Sequence, residues 1–266
     1  MDILKAIILG FIQGMTEFFP VSSTGHLVLL ENFWGIKGSL AFDVFAHTGS
    51  FLAILIYFRK EILKMVLAFF DFFKKPKIEN FSQKLLFLLL AGSLPAGILG
   101  FFLSDIIERY FRSPKFVALN LIVFGLILYW VDKKAKSQKE IKDLNFVQAF
   151  TVGLFQSLSL APGVSRSGST IIGGLLMGLK KDQAVEFSFL LSLPTIFGAL
   201  LKEGLKFKNQ MAMFGDLELF LVFLSTFLAS LFAISFLLRF VKKHSFDIFV
   251  IWRIVLGILV LGILTI

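Results

Sequence analysis

Two polar segments interrupt an otherwise lipid-soluble chain, and they are versions of one another. The first runs Gly10-Phe-Ile-Gln-Gly-Met-Thr-Glu-Phe-Phe-Pro-Val-Ser-Ser-Thr-Gly-His26 and the second Gly153-Leu-Phe-Gln-Ser-Leu-Ser-Leu-Ala-Pro-Gly-Val-Ser-Arg-Ser-Gly-Ser-Thr170. At a constant offset of 143 residues Gly10 meets Gly153, Gln13 meets Gln156, and Val21, Ser22, Thr24 and Gly25 meet Val164, Ser165, Ser167 and Gly168. Each copy sets a proline and a hydroxyl-rich loop inside apolar sequence that would otherwise be helix. Irregular backbone at membrane depth survives only where protein or a watery cavity satisfies its polar groups. One such break per half of the chain points to a shared site where the two halves meet.

Composition fixes the solvent. Of 266 residues 57% are hydrophobic, 35 are phenylalanine, and the mean hydropathy is +0.85. A soluble domain of this size cannot hide that much apolar surface, so lipid covers much of it. The absence of cysteine excludes disulfides, thiolate nucleophiles and Cys-ligated metals. The net charge of +9 does not indicate nucleic acid, because the basic residues sit in short loops between apolar runs. Met1-Asp-Ile-Leu-Lys5 lacks a basic leader region, and no small-x-small cleavage site follows, so the N-terminus is expected to be retained.

Six stretches, at about 41–58, 85–104, 116–131, 184–201, 218–238 and 247–265, read as membrane spans. The motif regions, about 3–33 and 147–178, read as helix–loop–helix hairpins that enter the bilayer and return. The expected fold is therefore an all-α polytopic membrane protein of one domain, residues 1–266. Each repeat, approximately 1–131 and 144–266, holds one hairpin and three spans. Three is odd, so the second repeat starts from the opposite side, which makes the repeat inverted. The connections at 59–84, 132–146, 179–183 and 239–246 hold 17 Lys or Arg, against 8 in the region to residue 40 and the loops 105–115 and 202–216. The first set is expected to be cytoplasmic, with both termini outside. Glu61–Lys75 reads as an amphipathic helix on the cytoplasmic surface.

Arg166 is the foremost candidate for chemistry. An arginine at membrane depth costs roughly 2.5–3.5 kcal/mol on insertion scales, and such residues are generally functional. With Ser165, Ser167, Ser169 and Thr170 around it, a helix opening near Gly168 and glycines allowing close approach, it suits a phosphate. The alternative is a structural arginine on the carbonyls of the broken helix. Glu17, among phenylalanines and just before Pro20, is a candidate general base or cation ligand, or a structural partner for Arg166. Gln13 lies one turn earlier on the same face, able to bind water or phosphate. Ser22, Ser23, Thr24 and His26 follow the proline. A serine near a histidine and a carboxylate suggests nucleophile, base and orienter, whereas hydroxyls after a proline also serve as helix caps. Asp43 and His47, one turn apart, and Glu186, at the 143 offset from Asp43, are candidate supporting groups, proton carriers or ligands. They also suit ordinary helix starts. Arg253 is read as snorkelling or internally paired, with no assigned role.

The run from Gln13 to His26 and the run Pro162-Gly-Val-Ser-Arg-Ser-Gly-Ser-Thr170 resemble the two signatures of bacterial undecaprenyl-pyrophosphate phosphatases of the bacitracin-resistance type. The resemblance spans essentially the whole chain, including Phe42-Asp-Val and Glu186-Phe-Ser-Phe-Leu-Leu. It implies hydrolysis of undecaprenyl pyrophosphate to the monophosphate carrier of peptidoglycan synthesis, in the bacterial cytoplasmic (inner) membrane. By the same resemblance Glu17, Ser23, His26 and Arg166 fall on functional positions, helped by a divalent cation, Mg²⁺ or Ca²⁺. Gln13, Ser22, Thr24, Ser165, Ser167 and Thr170 fall around the substrate. Members often carry two glutamates in the first motif, and here the earlier one is Gln13. Cation ligation therefore rests on Glu17, with Asp43 or pyrophosphate oxygens completing it. Whether Ser23 or a water activated by Glu17 attacks is left open, as is a homodimer. A polyprenyl-phosphate transporter or flippase is the competing class, and a membrane scaffold a third.

The inverted repeat makes a direct prediction. In this cysteine-free chain, single cysteines at Lys139 and Lys206 should label from opposite sides of the membrane, Lys206 from outside. Labelling of both by an impermeant maleimide from one side would break the repeat argument.

Overall fold

The computed structural model describes residues 2–35, 40–135, 138–211 and 215–265. It is helical throughout, in the order α1 (Ile3–Phe18), α2 (Ser23–Trp34), α3 (Leu40–Tyr57), α4 (Arg59–Lys74), α5 (Phe81–Phe111), α6 (Pro114–Lys134), α7 (Phe146–Leu158), α8 (Arg166–Leu176), α9 (Lys181–Met211), α10 (Asp216–Phe240) and α11 (Asp247–Ile263). Helix starts follow local chemistry. Asp2 and Ser113 cap α1 and α6, and Asn80 with Gln83 and Asn145 with Gln148 form capping boxes on α5 and α7.

Among the described residues four helices are long and apolar enough to cross a membrane: Phe81–Leu103, Pro114–Lys134, Lys181–Lys202 and Asp216–Phe240. The other two expected spans correspond to α3 and α11, of 18 and 17 residues. Their outer faces are apolar and bare, with Phe102, Trp130, Leu228 and Ile258 each more than half exposed. That is the surface of a polytopic membrane protein, whose solvent is hydrocarbon. The connections read as loops at 105–115 and 202–216 are shorter than expected. Helix continues to Phe111 on α5 and to Met211 on α9, while 212–214 lie outside the described residues. Both of these 31-residue helices contain a proline, Pro95 and Pro194. A proline inside a long apolar helix survives where neighbours re-satisfy the freed carbonyl.

Packing relates the two halves. Helix α1 lies against α10 so closely that a Cβ on Gly10 would stand 2.4 Å from the Val222 carbonyl oxygen. Helix α7 lies against α5 in the same manner, a Cβ on Gly153 falling 2.2 Å from the Gly92 carbonyl oxygen. Gly10 and Gly153 are the residues the sequence offset pairs. Small residues that let backbones touch are the usual cement of helices in lipid. Threonine adds a hydrogen bond on one side, Thr226 Oγ1 donating to the Gly10 carbonyl at 3.0 Å. A buried apolar cluster joins Phe18 of α1, Leu128 of α6, Ile171 of α8 and Phe187 and Phe189 of α9. Phe18 and Phe189 meet edge to face with ring centroids 5.0 Å apart. Helix α4 turns Met65 and Ala68 inward and leaves Leu63, Leu67, Phe70 and Phe73 exposed, a second apolar face on the expected amphipathic segment.

Candidate active site

The two motif copies fold into the same turn. After each proline the chain enters a new helix through a serine at positive φ, Ser22 at 76° and Ser165 at 78°. That region is strained for a residue bearing a Cβ and persists only where surrounding contacts enforce it. Each serine caps its own helix, its hydroxyl accepting from the Gly25 amide at 3.2 Å and the Gly168 amide at 3.0 Å. The first amides of α2 and α8 have no acceptor within their helices. Two positive helix ends thus border one cavity.

Arg253 holds the turns in place. It is wholly buried on α11 and donates only to backbone carbonyls. Its Nη1 reaches Pro20 at 3.0 Å, and its Nη2 reaches Gly163 and Val164 at 3.0 Å each. Its Nε reaches Leu121 at 3.1 Å, which anchors the guanidinium to α6. These are the carbonyls that the broken helices free, and one five-donor fork serves both loops. Two further bonds tie the loops down: Asn120 Nδ2 to the Pro162 carbonyl at 2.8 Å, and Ser167 Oγ to the Phe19 carbonyl at 2.9 Å.

The cavity, of about 170 Å³, has Glu17, Ser22, Ser23, Thr24, His47, Ser159, Ser165 and Arg166 on its polar side. Val44, Leu160, Ile196 and Ala199 form its apolar wall. Glu17 gathers the polar contacts. Its Oε1 pairs with Arg166 Nη2 across the two motif copies. Its Oε2 accepts from Ser23 Oγ at 2.6 Å and Gln13 Nε2 at 3.0 Å, and His47 Nε2 stands 3.1 Å from the same oxygen. Arg166 Nη1 and Gln13 Oε1 are buried with no hydrogen-bond partner among the described residues. A buried donor left open beside a cavity is costly unless a ligand fills it. A guanidinium nitrogen, hydroxyls and two helix ends are together a set of groups that suits an anion with several oxygens.

The remaining candidates lie apart from this chemistry. His26 is tied on both ring nitrogens: Nδ1 is 2.7 Å from the Ser22 carbonyl, and Nε2 accepts from Trp252 Nε1 at 2.9 Å. Since a carbonyl only accepts, Nδ1 carries the hydrogen, and His26 has no nitrogen left for Ser23. Thr170 Oγ1 donates back to the Arg166 carbonyl at 2.8 Å and lies 2.6 Å from Ser188 Oγ, so it braces α8 against α9. Asp43 faces away from Glu17. Its Oδ2 accepts from Arg112 Nη1 at 2.6 Å, and Arg112 Nη2 donates to Glu31 Oε2 at 2.8 Å. Glu186 meets Gln183 Nε2 at 3.4 Å, outside the cavity. His47, by contrast, lines the cavity and touches Glu17. Thr195, on α9, also borders the cavity, and no pattern in the sequence marks it.

The side chains do not suit a protein-held divalent cation. Among the described residues no three His, Asp or Glu side chains converge on a point. The cavity's one carboxylate already meets a guanidinium, an imidazole, an amide and a hydroxyl, whereas Mg²⁺ and Ca²⁺ need free oxygen ligands. The Oε1 of Gln13 is the one spare oxygen beside it.

Comparison with known proteins gives the lineage. Residues 6–259 match the family described as Bacitracin resistance protein BacA. The chain is 40% identical over 268 residues to undecaprenyl-diphosphatase 3 of Acinetobacter baylyi, covering 99% of this chain and 98% of that protein. It is 39% identical over 267 residues to the undecaprenyl-diphosphatase of Gemmatimonas aurantiaca, covering 99% and 98%. It is 37% identical over 270 residues to that of Methanosphaera stadtmanae, covering 97% of each. The chain belongs to the BacA family.

The Arg253 staple predicts a stability effect. Arg253→Leu removes the donors and leaves buried carbonyls unpaired, at about 1–3 kcal/mol for each group that finds no other partner. Arg253→Lys keeps the charge but cannot span both loops, so it should restore only part of that loss. Thermal melts in detergent in which Arg253→Leu matches the parent would remove Arg253 as the staple.

Proposed function

We propose that this chain hydrolyses undecaprenyl pyrophosphate to undecaprenyl phosphate and inorganic phosphate, recycling the lipid carrier of cell-wall synthesis. Bacitracin resistance then follows from supply of the monophosphate carrier. The observation that carries the reading is the meeting at one cavity of Glu17 and Ser23, from the first motif copy, with Arg166, from the second and 149 residues from Glu17. Three full-length relatives named undecaprenyl-diphosphatase support it.

Phosphoryl transfer asks a protein mainly for positioning and for charge stabilisation. Arg166 and the amides opening α2 and α8 supply the second. Ser23 Oγ, 2.6 Å from Glu17 Oε2, supplies the nucleophile. It attacks the terminal phosphorus, the bond to the bridging oxygen breaks, and the lipid leaves as its monophosphate. The hydroxyl proton passes to Glu17. Water then cleaves the phosphoserine, releasing inorganic phosphate and regenerating Ser23. In the mechanism proposed here His26 is a framework residue, and no step runs through a metal ion.

The location belongs to the same proposal. The α1–α2 and α7–α8 pairs are read as re-entrant hairpins and α3, α5, α6, α9, α10 and α11 as six spans, in two inverted repeats within the cytoplasmic membrane. Supporting this are the equal turns at Ser22 and Ser165 and the matched crossings of α1 on α10 and α7 on α5. Both termini then face outward, and the exposed Phe70 and Phe73 of α4 rest on the inner surface.

The function is tested by phosphate release from undecaprenyl pyrophosphate by purified protein in detergent. A transporter binds the lipid and releases none. Arg166→Lys retains charge but loses the planar fork, and turnover should fall by about 10²-fold. Near-normal turnover would remove Arg166 from the phosphate.

Single-turnover measurements separate the two nucleophiles. With Ser23 attacking, Ser23→Ala should lose chemistry while still holding substrate. A rate within about threefold of the parent would leave a Glu17-oriented water as the nucleophile, with Ser23 only a hydrogen-bond donor to Glu17.

A further inference from the structure

The contacts on Glu17 come from three places. Gln13 is on its own helix, Ser23 and Arg166 are in the two motif loops, and His47 belongs to neither motif. His47 projects from α3, a helix that α1 packs against and that belongs to neither motif pair. We infer that His47 is a positioning residue for the reaction, the fixed donor that keeps the Glu17 carboxylate turned toward Ser23 once the substrate draws Arg166 away. The inference rests on the hydrolysis proposed above.

Stoichiometry of donors makes the case. In the structure Arg166 divides its fork: Nη2 is on Glu17 Oε1 and Nη1 is open. A diphosphate in the cavity competes for both nitrogens, and its oxygens match the fork better than one carboxylate oxygen does. When Arg166 turns to the phosphate, Oε1 loses its partner, and the orientation of the carboxylate depends on what holds Oε2. Ser23 cannot do this, because its hydroxyl leaves that bond during attack. Gln13 holds from the same helix, four residues away, and moves with it. His47 alone holds from outside.

His47 is also built to stay in place. Its Nδ1 lies 2.5 Å from the Asp43 carbonyl and its Nε2 3.1 Å from Glu17 Oε2; both partners accept, so both nitrogens carry a hydrogen, the ring donates as an imidazolium, and its plane is fixed against α3. The first turn of α3 is in turn clamped by Arg112, which bridges Asp43 Oδ2 at 2.6 Å and Glu31 Oε2 at 2.8 Å on α2. This explains a carboxylate pair that lies outside the cavity. It anchors the helix that aims the imidazole, as outer-layer partners commonly orient the groups that touch substrate. The competing view is that His47 merely fills space beside Val44.

Two substitutions separate the views. Glutamine places an amide N–H the same number of bonds from Cα as the imidazole Nε2, so His47→Gln keeps the donor. His47→Leu fills comparable volume without it. Wild type, His47→Leu and His47→Gln are to be purified in detergent, matched by thermal melting, and assayed for phosphate release across substrate concentrations. For a positioning donor, kcat of His47→Leu should fall by about 10–100-fold with KM within about threefold, while His47→Gln stays within about threefold of wild type. Equal kcat in the Leu and Gln variants overturns the inference, whether both are high or both are low. If His47→Leu fails to melt cooperatively, His47→Met takes its place on the same criteria. A wild type that releases no phosphate sinks the hydrolysis reading instead, so the two failures are distinct.

Discussion

A helix broken in a protein interior leaves carbonyls that its own backbone cannot satisfy, and this chain contains two such breaks, after Phe18 and after Leu158. The fold depends on their being met by one guanidinium. Arg253 takes Pro20 from the first loop and Gly163 and Val164 from the second, with α6 behind it. In hydrocarbon each unsatisfied polar group costs several kcal/mol. The staple is therefore also what sets the spacing of the loops, because both are referred to the same planar group. Every distance in the cavity inherits that reference, from Ser23 on one loop to Arg166 on the other.

The repeat supplies geometry twice and chemistry once. Ser22 and Ser165 share a positive φ and a cap onto the third residue of their turns. At the same offset Glu17 corresponds to Leu160, Ser23 to Arg166, His26 to Ser169 and His47 to Leu190. The carboxylate, the hydroxyl that donates to it and the imidazole come from the first half, and the cation comes from the second. Two identical loops would oppose like with like. Divergence at these few positions turns a symmetric pair of helix ends into a site with an attacking side and a charge-stabilising side.

Much of this was legible from residue order. Pro20 and Pro162 inside apolar runs announced the breaks, and the related motifs pointed to a shared site in which Glu17 was one candidate partner for Arg166. The limits of the long helices were less visible. The charges of 105–115 and 202–216 resemble loop composition, yet charged residues extend a helix equally well where it leaves the lipid. The roles of Arg253 and His26 were hidden for a different reason. Pro20 is 233 residues from Arg253, and Trp252 is 226 from His26, and no local pattern encodes contacts at that range. The pairing of His26 with Trp252 takes the motif histidine out of acid–base work. His47 was visible only as one of several helix-start polar residues, and its distance to Glu17 is what sets it apart.

The ion pair between Glu17 and Arg166 has a consequence for the order of events. A buried arginine without a counterion would be expensive, and so would a lone buried carboxylate. Each is the other's counterion until an anion arrives. A diphosphate entering the cavity replaces Glu17 on the guanidinium, so Arg166 is never without a partner. In the hydrolysis proposed above, the same exchange frees Glu17 Oε1 while Oε2 keeps its contacts with Ser23, Gln13 and His47. Ser23 is 2.6 Å away when that happens. In the proposed reaction, binding of the substrate thus frees the carboxylate that faces Ser23, and charge on the lipid headgroup serves as the trigger. A neutral lipid of the same tail would leave the ion pair closed and the serine unactivated, which ties selectivity for the charged headgroup to the chemistry itself.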